Sequence, residues 1–256
     1  MQRVVVKVGS AVLTQDGEIA LSRMQALVNF LAELREKYEV ILVSSGAVAG
    51  GYTKLKLDRT ALANKQALAA IGQPVLMQRY AKKFERHEII TAQVLVTAAN
   101  LSKDDDIQRV RNTVETLLCN GVIPIVNEND ATATDELELG DNDQLSAYIT
   151  EHTDADMLII LSDIDAYYDK DPRKYEDAKI LKTVNEIPHE ALTQEVNPNN
   201  EFATGGIVTK LKAAAYLLEH NKKMFLASGF DLRDVKSFML EEKHKGGTLF
   251  TPKEQS

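Results

Sequence analysis

The stretch Gly121–Ala147, GVIPIVNENDATATDELELGDNDQLSA, decides how the chain is read. Val122 to Val126 is a short apolar run of the kind that forms a buried strand, and it turns polar at Asn127-Glu128-Asn129-Asp130. A hydrophilic excursion follows, and order resumes at Gly140-Asp141-Asn142-Asp143. From there Leu145, Ala147 and Ile149 set an apolar face at helical spacing. Asp141 or Asn142 is the expected N-cap, because a short side-chain oxygen accepts from the orphan N–H groups of a first turn. One such cluster would be ordinary turn chemistry. Two clusters bracketing a strand-to-helix junction point instead to a ligand, since open α/β sheets bind ligands beyond the carboxyl ends of their strands.

The same punctuation recurs on either side. Val4-Val5-Val6, continued by Val8, reads as a strand covered on both faces, with Lys7 set into it and Gly9-Ser10 after it. Val40 to Val43 is a second buried strand that runs into Ser44-Ser45-Gly46-Ala47, small residues that let the backbone approach a ligand. Further strands are expected at Ile89–Val96, Met157–Leu161 (stopping at Ser162-Asp163), Lys222–Ala227 and Gly247–Phe250.

Between them lie helical patterns. Leu21, Met24, Leu27, Val28, Leu31 and Leu34 form one stripe. Ala61 to His87 forms another pattern, expected to break near Gly72-Gln73-Pro74. A helix follows Asp104-Asp105-Asp106, whose charges suit a helix amino end, and stops at Gly121. Cys119, near its end, is expected to be a small buried apolar residue. Asp165 to Asn200 is polar and reads as a surface excursion or small lid, after which Thr204-Gly205-Gly206 opens a helix carrying Lys210. Asp231 to Leu240 is the last helix. Strands alternating with helices imply an α/β fold, a mostly parallel open sheet with helices on both faces, in a single domain spanning 1–256.

Composition narrows the class. Thirty Lys+Arg against 38 Asp+Glu leave a net charge of −8, which argues against nucleic-acid or membrane-surface binding. A single cysteine excludes an intramolecular disulfide and suits a reducing compartment. Lys7 interrupts the only apolar run at the amino end, and no segment approaches membrane-spanning length, so a cytoplasmic location is expected.

Lys7-Gly9-Ser10, Ser45-Gly46, Asn127 to Asp130 and Ser162-Asp163 each follow a strand, so a parallel topology would gather them at one sheet edge, with Thr204-Gly205-Gly206 and Lys210 beside them. Lysines and glycine-rich turns are what a polyphosphate needs. Neither G-x-x-x-x-G-K-[ST] nor G-x-G-x-x-G is present, so a P-loop or a dinucleotide-binding fingerprint is excluded. Asp130, Asp141 and Asp143 would repel ATP, at roughly 4 kcal/mol per pair near 4 Å with an effective dielectric of about 20, unless something cationic sits among them. Lysines, Mg²⁺ or an ammonium on the acceptor would serve, which points to phosphoryl transfer onto an amino-bearing small molecule. The five histidines lack metal-ligand spacing, and no G-x-S-x-G elbow exists. Paired carboxylates of a glycosidase would leave the lysine loops unexplained.

Taken together, VVVKVGS, VSSGAVAGG, IPIVNENDA with GDNDQLSA, LSDIDAYYDKDPR and TGGIVTKLKAA resemble the glutamate 5-kinases of the amino-acid kinase family, in the same order and from Val4 to about Phe250. NENDA with GDND is specific to that branch; the lysine strand and TGG…TK are shared with acetylglutamate, uridylate and carbamate kinases. The resemblance implies ATP-dependent phosphorylation of the γ-carboxylate of L-glutamate, the first step of proline biosynthesis. It implies that Lys7 and Lys210 neutralise the transferring phosphoryl group while Asp143 holds them. It assigns Ser45, Gly46, Ala47, Asn127, Asp130, Asp141 and Asn142 to glutamate. Lys7, Gly9, Ser10, Ser162, Asp163, Thr204, Gly205, Gly206 and Lys210 fall to the nucleotide, whose phosphates Mg²⁺ bridges, with no protein metal site. It further implies a homo-oligomer (dimer or tetramer), feedback by proline, and a glutamyl phosphate reductase as partner.

Three departures from the family pattern stand out. Many relatives carry about a hundred further residues as a PUA-type domain, which this chain is expected to lack. Glu138 replaces a frequent lysine, and Ala166 replaces a glycine of the nucleotide loop. The alternatives are a kinase of the same fold with another acceptor, against which NENDA and GDND speak, and a non-catalytic ATP or amino-acid sensor, against which retention of both lysines speaks.

Overall fold

A computed structural model describes residues 1–132, 142–193 and 206–253. In chain order the elements begin with β1 (Gln2–Val8), α1 (Ser10–Leu13), β2 (Thr14–Gln15), β3 (Glu18–Ile19), α2 (Leu21–Arg35) and β4 (Tyr38–Ser44). They continue with α3 (Ala47–Tyr52), α4 (Leu62–Phe84), β5 (Thr91–Val96), α5 (Asp104–Cys119) and β6 (Ile123–Glu128). Next come α6 (Asn142–His152), β7 (Met157–Ser162), β8 (Thr183–Val184), α7 (His189–Thr193) and α8 (Ile207–Glu219). The last are β9 (Lys223–Ser228), α9 (Arg233–Glu241) and β10 (Thr248–Phe250).

The main sheet has the order β5-β6-β4-β1-β7-β9-β10-β8, and β2 and β3 form a separate hairpin. All pairings in the main sheet are parallel except β10 with β9. β1 lies between β4 and β7, so its carboxyl end faces the crevice where the chain switches from one side of the sheet to the other, the usual ligand position in such folds.

Side chains alternate across the pleat. Val4, Val6 and Val8 of β1 pack with Met24, Leu27 and Leu31 of α2 on one face. Val5 joins Leu145, Ile149, Leu211 and Leu217 of α6 and α8 on the other. Lys7 shares the parity of Val5 and is directed to the α6/α8 face, where it meets Asp143. The period of two therefore aims a lysine at the site.

Several expectations need correction. α4 runs unbroken through Gly72-Gln73-Pro74. Proline forfeits one hydrogen bond, yet Leu68, Leu76, Tyr80 and Phe84 are fully buried on both sides of it, and that packing outweighs the local cost. Cys119 is exposed, because α5 packs on the core through Val110, Val114 and Leu118, and Cys119 falls outside that stripe. Leu21 is 51% exposed at the start of α2, while Phe30, outside the expected stripe, is fully buried. The polar excursion is not wholly peripheral: Thr183–Val184 adds β8 to the sheet beside β10, and Tyr168 bridges to Ile180. The acidic start of α5 and the Gly121 stop are as expected, Gly121 at φ +70° donating to Leu118 O at 2.9 Å.

Candidate active site

Asp143 lies in the first turn of α6 and is completely buried, as are Lys7 (3% exposed) and Lys210 (4% exposed). Lys7 Nζ donates to one carboxylate oxygen of Asp143. Lys210 Nζ donates to the other at 3.0 Å, and Thr209 Oγ1 donates to that same oxygen at 2.8 Å. Lys210 also donates to Gly206 O at 2.9 Å, across the first turn of α8. Burial alone would push the Asp143 carboxyl upward; the two ammonium groups outweigh it and hold its pKa at about 2.

An amide chain leads away from this centre. Asn142 Nδ2 donates to Ser45 Oγ at 2.9 Å and to Asn127 Oδ1 at 3.0 Å. Asn127 Nδ2 donates to Gln73 Oε1 at 3.0 Å, and Gln73 Nε2 donates to Gln93 Oε1 at 3.2 Å. A cavity of about 410 Å³ opens beside it, lined by Ser10, Ser45, Gly46, Ala47, Asn127, Glu128, Asp130, Asn142 and Arg59 among others. Gly46 stands at φ +107°, a conformation that favours glycine, and it turns β4 directly into α3. α3 can approach α4 because both carry glycine at the crossing: a Cβ on Gly72 would lie 1.7 Å from Ala47 O.

Ile207, Val208 and Leu211, neighbours of Lys210 on α8, join Ala166, Tyr167, Tyr168, Lys170 and Pro172 around a second cavity of about 300 Å³. Its walls combine apolar and aromatic groups, a surface suited to a base, with Lys170 and Lys174 beside Asp169 and Asp171. Ser162 and Asp163 end β7 just before it; the Ser162 hydroxyl donates to Asp163 at 2.9 Å and accepts from Ile164 N–H at 3.2 Å. Among the described residues no group of His, Cys, Asp and Glu is placed to hold a metal ion.

The structure thus brings Lys7, Asp143 and Lys210 into contact, and gathers Ser45, Gly46, Ala47, Asn127, Asp130 and Asn142 around one cavity. Ser10, expected at the nucleotide, lines that same cavity, and Gly9 lies next to Lys7, its N–H donating to Leu161 O at 3.0 Å. Asp141, Thr204, Gly205 and Glu138 lie outside the described residues. Sequence reasoning missed Gln73, Gln93 and Arg59, while Glu128 stood in the polar cluster after Val126 and Thr209 in the TGG…TK motif without roles of their own. Gln73 stood within the segment misread as a helix break.

The model of the "Amino acid kinase family" matches residues 2–228. A glutamate 5-kinase of Wolinella succinogenes is 53% identical over 98% of this chain and 98% of its own length. One of Leishmania donovani is 51% identical over 98% and 95%, and glutamate 5-kinase 2 of Bacillus subtilis is 42% identical over 96% and 67%. Among solved structures, carbamate kinase from Giardia lamblia bound to AMP-PNP superposes with a TM-score of 0.68 at 16% identity, covering 98% of this chain and 99% of its own. The isopentenyl phosphate kinase product complex of T. acidophilum gives 0.67 at 16% identity, covering 97% and 100%. These structures share the fold, and the sequence relatives, at half of all positions over nearly the full length, share more than the fold. The chain belongs to the amino acid kinase family and, within it, to the glutamate 5-kinases.

Proposed function

We propose that this chain, as a single kinase domain, transfers the γ-phosphoryl group of ATP to the γ-carboxylate of L-glutamate, yielding L-glutamyl 5-phosphate and ADP as the first step of proline biosynthesis. The observation that carries the mechanism is the pairing of Lys7 and Lys210 on Asp143. Asn142, next to Asp143 in the chain, lines one cavity, and Ile207, Val208 and Leu211 around Lys210 line the other. Chain neighbours of Asp143 and Lys210 on both cavities support a reading in which the ammonium groups lie between acceptor and nucleotide.

In this reading L-glutamate occupies the cavity at Ser45, Gly46 and Asn142, with its α-ammonium toward Asp130 and Glu128. ATP occupies the cavity at Tyr167 and Tyr168, its phosphates reaching past Gly206 toward the lysines. A carboxylate oxygen of the acceptor forms the new P–O bond, the bond to the β-phosphate oxygen breaks, and ADP leaves with that electron pair. No general base is required, because a carboxylate is already ionised at pH 7. Lys7 and Lys210 stabilise the charge on the transferring group, the principal task in phosphoryl transfer. Asp143 fixes both amines and Thr209 fixes Asp143. Mg²⁺ would arrive on the nucleotide and offset phosphate charge, consistent with an ion that takes most of its ligands from phosphates and water.

The proposal extends to a cytoplasmic homo-oligomer, with proline as a feedback ligand and a glutamyl phosphate reductase taking the labile acyl phosphate. The test is ADP release with and without L-glutamate, with the acyl phosphate trapped by hydroxylamine. Turnover restricted to acetylglutamate or a nucleoside monophosphate would reject the acceptor assignment.

A further inference from the structure

Arg59 has no role in the mechanism above, and no sequence motif singles it out. It follows α3 in the chain, and its side chain lines the same cavity as Ser45, Asn127 and Asn142. Its guanidinium lies 4.6 Å above the ring of Tyr52, the last residue of α3, a stacking that holds a planar cation while leaving its N–H fork available. Lys56 approaches the same ring at 4.2 Å but is paired with Glu18 at 3.6 Å. The neighbouring Asp58 accepts from the Thr60 backbone at 3.1 Å and from the Thr60 hydroxyl. Among the described residues no carboxylate pairs with Arg59. The cavity thus presents Glu128 and Asp130 as anions and Arg59 as a cation with unused donors.

We infer that Arg59, braced on Tyr52, binds the α-carboxylate of the amino-acid acceptor and thereby selects α-amino acids over acceptors lacking that group. The inference rests on the acceptor assignment proposed above and adds its specificity determinant. A zwitterionic head has two charges to satisfy: the ammonium suits Glu128 and Asp130, and the α-carboxylate suits a guanidinium fork. The γ-carboxylate then remains for Ser45 and the lysines, so the pocket orients the acceptor by charge.

The test compares the wild type and Arg59→Gln, as full chains at saturating ATP, on L-glutamate and on its α-carboxamide, L-isoglutamine. The carboxamide keeps the α-ammonium and the γ-carboxylate but loses the α charge. Wild type should favour L-glutamate in kcat/KM, and Arg59→Gln should raise the KM for L-glutamate on the order of ten- to a hundred-fold, with kcat little changed and the preference over L-isoglutamine collapsed. Arg59→Lys, retaining charge without the fork, should restore part of the preference. If Arg59→Gln keeps the wild-type preference, or weakens both acceptors equally, Arg59 does not read the α-carboxylate and the inference is overturned. A wild type that turns over neither acceptor rejects the functional reading itself, a different result from either.

Discussion

Lys7, on the central strand, and Lys210, on a helix after most of the chain has passed, donate to opposite oxygens of one buried carboxylate. Each amine is thereby aimed, and the positive charge of the pair exceeds the charge of the group that holds it. That excess is the feature a transferring phosphoryl group requires.

Lys210→Met keeps the volume and removes the charge. A single preorganised donor typically accounts for about 10²–10³ in kcat, so turnover should fall by that factor while KM for L-glutamate changes little. A coupled ADP assay measures this, and an unchanged rate would remove Lys210 from the catalytic role.

Asp143→Asn leaves two ammonium groups buried without their counter-charge. Breaking a buried ion pair from one side costs about 3–5 kcal/mol, equivalent to a loss of roughly 6–20 °C in Tm for a chain of this size. Thermal unfolding by circular dichroism reads the shift, and activity should fall with it because neither lysine remains aimed.

The acid limb of stability should report the same group. Asp143 titrates at about 2 in the folded protein, against about 3.9 when unfolded. Its contribution, on the order of 2 kcal/mol, is therefore complete above about pH 4 and is lost as pH falls toward 2. Urea midpoints measured across that window should decline in the wild type, and the part due to Asp143 should be missing in Asp143→Asn.

Gln73→Leu removes the acceptor that holds Asn127 Nδ2 at 3.0 Å. A buried amide left without a partner costs about 1–3 kcal/mol. Asn127 should then lose its orientation toward Asn142, raising KM for L-glutamate by about tenfold and leaving KM for ATP unchanged.

Gly72→Ala would set a methyl group 1.7 Å from Ala47 O and 2.3 Å from Gly51 N. The helices α3 and α4 must separate, at a cost of about 1–3 kcal/mol or more. Because Ala47 lines the acceptor cavity, KM for L-glutamate should rise together with the loss in Tm. A variant with wild-type Tm would show that the crossing is looser than this contact indicates.

The sequence by itself determined the alternation of strands and helices, the parallel sheet and the polar loops after the strands, because each depends on periodicity and turn chemistry within a few residues. The lysines were legible from a buried strand end and a glycine turn, and a family resemblance implied that Asp143 holds them; the geometry of the contact, one amine on each carboxylate oxygen, was not. Cys119 and the Gly72-Gln73-Pro74 segment were misread locally, since neighbours distant in sequence decide which face of a helix is covered and whether a proline is tolerated. Only the tertiary structure decided that Thr209 supports Asp143, that Gln73 and Gln93 extend the amide chain, and that Arg59 stacked on Tyr52 faces the cavity. Those arrangements depend on helices α3, α4, α6 and α8 meeting at one end of the sheet, and that meeting is set by burial of their apolar faces rather than by any local signal.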